Sequence, residues 1–155
     1  MTVDQLLNIA LNGARAHLIG QPDASLMAAF MIQYKDQPPV ILGAPWSCEE
    51  EKQMALSLIR FILNKDPTIH SYSFISEAWV AEENAKHPIG LMPSQREDKR
   101  EVVIISAFDR QGGETRVYVI ERGPDGRVSD LVLDPHTVFE GRVHNLFANK
   151  DSHAN

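Results

Sequence analysis

Four strand-like segments follow one another beyond Pro67: Ile69 to Val80, Glu101 to Asp109, Thr115 to Glu121 and Val128 to Leu133. This succession constrains the fold more than any other feature of the chain. The turn signals Gln111-Gly112-Gly113-Glu114 and Gly123-Pro124-Asp125-Gly126-Arg127 join the second segment to the third and the third to the fourth. Strands joined by tight turns pair antiparallel, whereas parallel neighbours need a longer crossover. The region therefore reads as an antiparallel meander. In its third strand, Val117 and Val119 face one way and Arg116, Tyr118 and Arg122 the other, which predicts one buried and one wetter face.

Upstream, Thr2 to Leu18 reads as a helix. Thr2 or Asp4 caps it, and Leu7, Leu11, Ala14 and Leu18 recur at helical spacing. Ser25 to Tyr34 is a short apolar run read as a buried strand, with a helix as the alternative. Asp36-Gln37-Pro38-Pro39 is a turn signal, and Val40-Ile41-Leu42 closes a hairpin. Ser47-Cys48-Glu49-Glu50 matches a capping box that opens a second helix. Ala55, Leu58, Ile59 and Ile62 line one of its faces, and Asp66-Pro67 ends it. The expected class is α+β: a mostly antiparallel sheet of about five to six strands, two main helices on one face, in the order α-β-β-α-β-β-β-β. Residues 1–148 form a single domain in this reading, and 149–155 a polar mobile tail. The sheet face without helices would need water, a ligand or a second subunit, and a homodimer across it is the expectation.

The chain has 155 residues, 43% of them hydrophobic and 23% charged, which is enough for one substantial core. Its 21 acidic and 15 basic side chains leave a formal charge of −6, and no basic stripe offsets it. Nucleic acid and anionic membrane surfaces are therefore not expected as partners. Cys48 is the single cysteine, so neither an intrachain disulfide nor a Cys-rich zinc site can be built. The start, Met1-Thr2-Val3-Asp4, has no signal-peptide character, and the apolar runs fall short of a membrane span. A soluble cytoplasmic protein, bacterial or phage-encoded, is the expectation.

The polar stretch around residues 76–101 looks least like scaffolding. It contains Ser76-Glu77-Ala78-Trp79, then Glu82-Glu83-Asn84, then His87-Pro88, then Pro93-Ser94-Gln95-Arg96-Glu97-Asp98-Lys99-Arg100-Glu101. Together these segments resemble a group of uncharacterised bacterial proteins that share a Ser-Glu-Ala-Trp strand followed by a Pro-Ser…Arg-x-Glu segment. The resemblance covers roughly residues 70–122 and implies no particular activity. Glu77 lies between Ile75 and Trp79 on one strand face by the period-two rule. A carboxylate there needs a partner, and Arg96 or Arg100 is the expected one. In the functional reading Glu77 is a general base or metal ligand in a pocket walled by Trp79 and Tyr72. In the structural reading it pins the loop to the sheet through an ion pair, or is simply an exposed Glu. A binding site of Glu77, Trp79, Arg96 and Arg100 follows, and a hydrolase-like alternative would use Glu77, Arg96, Asp98 and Arg100.

The remaining motifs point to no complete constellation. His87, Ser94 and Glu97 approach the zinc pattern of JAB/MPN metalloproteases, but Ala85 stands where the first histidine belongs, and the Ser spacing is one short. His17, His70, His136, His144 and His153 show no ligand spacing, and a site built from Glu77, His70 and His87 has nothing further to recommend it. Cys48 sits at the start of the second helix beside three glutamates and reads as a half-buried structural thiol. No Gly-x-Ser-x-Gly elbow or phosphate loop is present. No cofactor or metal is therefore expected. The leading expectation is a non-enzymatic binding or interaction module that self-associates or binds a protein partner. A phage-type accessory protein acting on a host protein is a further alternative.

Overall fold

The computed structural model describes residues 1–22, 25–80, 100–135 and 145–147. Its elements are α1 (Val3–Leu18), β1 (Ala29–Tyr34), β2 (Val40–Gly43), α2 (Glu49–Lys65), β3 (Ile69–Val80), β4 (Arg100–Asp109), β5 (Gly112–Arg122) and β6 (Val128–Leu133). The strands form one six-stranded sheet in the order β2-β1-β3-β4-β5-β6, and every neighbouring pair is antiparallel. The α+β class, the element order and the meander stand as expected. The first strand begins at Ala29, so the residues from Ser25 to Ala28 lead into it.

The placement of the helices differs from the expectation. Alternation along paired strands fixes which side chains share a face. Phe30 pairs with Phe74, and Ile32 with Tyr72; these four belong to the cluster that contains Leu56, Ile59 and Leu63 of α2. Val103, Ile105, Ala107 and Tyr118 alternate with that set and pack with Leu6, Leu7, Leu11, Ala14 and Leu18 of α1. The two helices therefore lie on opposite faces of the sheet, not together on one. The cause is visible in β3 and β4, whose burial is nearly continuous instead of alternating. Such strands need cover on both sides. Tyr118 and Val117, on opposite faces of β5, are both buried, which also corrects the expected wetter face. A third, smaller cluster of Val102, Ile104 and Val117 shares the α2 side of the sheet.

Caps set the helix ends. Thr2 caps α1 in a full capping box with Gln5. For α2 the cap is one residue later than the sequence predicts: Cys48, whose Sγ accepts from the amide of Glu51. Ser47 instead donates its amide and hydroxyl to the Glu51 carboxylate. The Cys48 thiol is exposed, not half-buried. Arg110 closes the other end of α2, donating to the carbonyls of Leu63, Asp66 and Ile69 while its guanidinium lies 4.7 Å from the Phe147 ring centroid. The turn between β4 and β5 is Arg110-Gln111, shorter than the four-residue signal in the sequence, with Gly112 and Gly113 already in β5. At Gly113 a Cβ would collide with the backbone of Ala107 and Phe108, so only glycine fits.

Candidate functional site

Two places in this frame hold chemistry or unpartnered surface. The first surrounds Glu77 near the end of β3. Period-two alternation puts Glu77 and Trp79 on the α1 side, with Val103 and Glu101 of β4 as their cross-strand partners. Glu77, Trp79, Glu101 and Ile120 wall a cavity of about 230 Å³. A carboxylate oxygen of Glu77 accepts from the amide of Leu26 at 2.9 Å, which fastens the segment before β1 to β3. Glu101 is held by Arg122 through Nε and Nη2, at 2.8 and 3.3 Å. The same guanidinium donates to the carbonyls of Pro22 and Gly126. Trp79 is 42% exposed at the rim.

The residues singled out in the sequence do not converge here. Arg100 pairs with Val80, so it projects to the α2 side of the sheet, away from Glu77. Its guanidinium lies 3.3 Å from the carboxylate of Asp134. The expected Glu77–Arg100 pair is thus ruled out by strand parity, because residues an odd number of positions off register cannot share a face. Tyr72 does not wall the Glu77 cavity either. It is buried on the α2 side, where its hydroxyl accepts from the amide of Leu146. Arg96 and Asp98 lie outside the described residues, as do His87, Ser94, Glu97, His136, His144, His153 and the tail 149–155. Among the described residues no group of three or more His, Cys, Asp or Glu is placed to hold a metal ion. What the Glu77 cavity offers is an indole side chain beside two carboxylates, one of them neutralised by Arg122.

The second place is the outer surface of α2. Leu56, Ile59 and Leu63 are buried against the sheet. Met54, Leu58 and Phe61, at 68%, 59% and 63% exposure, project from the opposite side. Leu58, read from the sequence as a core residue beside Ile59, is therefore an outward one. It borders an apolar groove of about 300 Å³ whose walls include Trp46, Ala55 and Leu42. A second depression, of about 390 Å³, is lined by Ser57, Arg60, Phe61, Asn64 and Lys65 further along the same helix. Ile41 of the edge strand β2 is also 70% exposed. The signal for this surface was present in the sequence: Met54, Leu58 and Phe61 recur at helical spacing, out of phase with Leu56, Ile59 and Leu63.

Among the described residues these features define a class, an antiparallel α+β sheet with one helix on each face and an apolar outer strip on one of them. No helix among the described residues is long and apolar enough to cross a membrane. No protein-family model matches the chain, and no curated protein and no solved structure matches it.

Proposed function

We propose that this chain is a non-enzymatic interaction module that works through the outer face of α2 on a protein partner in a bacterial or phage-encoded cytosolic setting. The observation that carries this reading is the outward strip of Met54, Leu58 and Phe61, each more than half exposed. Burying a side chain of this size contributes about 1.5–3 kcal/mol. A helix that leaves three of them in water forgoes that gain in the monomer and recovers it on docking. Apolar strips of this kind mark interaction sites in monomeric folds. The adjoining groove beside Trp46 supplies the concavity that an anchoring side chain needs.

The separation of Glu77 from Arg100 adds support, because a hydrolase-like use of both on one substrate would require them on the same face. Glu77 has a structural use instead, fastening Leu26 to β3.

The test is Leu58→Asp. Leu58 is mostly in solvent, so the variant should unfold within a few degrees of the wild type. It should also lose most of the fluorescence enhancement that an apolar dye shows with the dilute wild-type protein. Equal dye uptake by the two proteins would refute α2 as the working surface.

A further inference from the structure

We propose that the occupant of the α2 strip is a second copy of this chain, docked antiparallel through α2 about a two-fold axis near Ser57 and Leu58. This deepens the proposed function and rests on it.

The side chains along the outer face of α2 follow a distinctive order. Glu50, Met54, Leu58, Phe61 and Lys65 are all exposed. At 3.6 residues per turn they fall within one strip about 100° wide, facing away from the core. The strip begins with an acid, continues through three apolar side chains and ends with a base. Glu49 and Glu51 are engaged within their own turn by Gln53 and Ser47, whereas Glu50 has no partner among the described residues. Lys65 lies over the Phe61 ring, with Nζ 5.9 Å from the centroid.

Such a strip is complementary to itself when reversed. An axis between Ser57 and Leu58 sets Met54 against Phe61 of the second copy, and Glu50 against Lys65 of the second copy. Both contacts occur twice by symmetry, as an isologous interface requires. One depression on α2 fits the same register. The depression lined by Arg60, Phe61 and Lys65 lies where Glu50 and Met54 of the second copy arrive. A parallel arrangement would instead set the acidic first turns of the two helices side by side. An unrelated partner would have no reason to find acid and base placed symmetrically about the middle of the strip.

The test uses the full-length chain in three forms, followed by sedimentation equilibrium over a range of concentrations. The wild type should associate reversibly to a dimer. Glu50→Lys makes the strip cationic at both ends, and Lys65→Glu makes it anionic at both. Each alone should weaken self-association by about tenfold, the sum of two exposed pairs turned repulsive. Mixed in equal amounts, the two variants restore both pairs, so a heterodimer at least as tight as the wild-type dimer should form. High salt should narrow these differences. Circular dichroism on each variant verifies that the helix persists. A wild type that stays monomeric at every concentration overturns the second copy as occupant. So does a mixture no tighter than its components. If the wild type is monomeric yet binds the apolar dye in a Leu58-dependent way, the interaction reading survives and this inference alone falls. If neither association nor dye binding occurs, both fall.

Discussion

Glu77 shows how a single side chain can be read as chemistry and turn out to be bound in place. Its carboxylate accepts the Leu26 amide, a charge-assisted bond that joins the segment before β1 to a strand far along the chain. Glu77→Gln keeps an acceptor but removes the charge. The expected cost is about 1 kcal/mol of stability, the difference between a charged and a neutral hydrogen bond, measured by denaturant unfolding. A loss above about 3 kcal/mol would mean that Glu77 holds more than this bond. Tyr72 makes a second case. Burial pushes its phenol well above the ordinary value of 10.0, while the Leu146 amide pulls the other way. A raised folded value means that the stabilisation is complete below pH 10 and is lost as pH rises toward the folded value, since only the unfolded chain ionises there. Alkaline titration of the wild type should therefore show stability falling above pH 10, and Tyr72→Phe should flatten that slope. The same substitution should cost about 1–3 kcal/mol at neutral pH, because it strands a buried amide. An unchanged alkaline slope would put the pH dependence elsewhere.

Among the elements, α2 carries the most information. Its inner side, Leu56, Ile59 and Leu63, meets Phe30, Ile32, Tyr72 and Phe74 in one cluster. Its outer side repeats the apolar spacing, and only packing distinguishes the two. The C-terminal end depends on Arg110, which reaches back from the β4–β5 turn to the carbonyls of Leu63 in the last turn, Asp66 at the cap and Ile69 at the start of β3. Its positive charge also suits a helix C-terminus. Arg110→Ala should destabilise the fold by about 1–2 kcal/mol, and Arg110→Lys by less, since a single ammonium keeps the charge but not the fork. Equal losses for the two variants in thermal unfolding would show that the fork, not the charge, holds this end. At the opposite end, the shift of the cap from Ser47 to Cys48 arises because Glu51, not Glu50, folds back onto Ser47. A one-residue uncertainty of this kind is inherent where several acids follow a candidate cap.

Across the fold, the sheet is a partition. Its α1 side contains Glu77, Trp79, Glu101 and the Arg122 network; its α2 side contains Tyr72, Arg100 with Asp134, and the helix whose outer strip is proposed to pair with its copy. A homodimer stacked on the sheet, as the sequence predicts, would meet α1 on one side and, over β1 and β3, α2 on the other. Docking through α2 leaves both sheet faces intact and adds a layer outside them. The dimer test and the Leu58→Asp test both act on this outer layer, which explains why neither should disturb the core.

Periodicity and turn chemistry were enough to read the element order, the bounds of β3 and β6 and the buried side of α1, because each depends on residues close together in the chain. Leu7, Leu11, Ala14 and Leu18 could be assigned inward from spacing alone, since α1 presents a single apolar stripe. For α2, with apolar residues on two sides, spacing could not tell Leu58 from Ile59. Nor could local pattern say that Arg100 and Glu77 stand on opposite faces, for that depends on which residue of β4 lies opposite which residue of β3. Register and helix placement are long-range pairings. They are settled by how both faces of the central strands find apolar cover at once, a condition that no single segment of the chain contains.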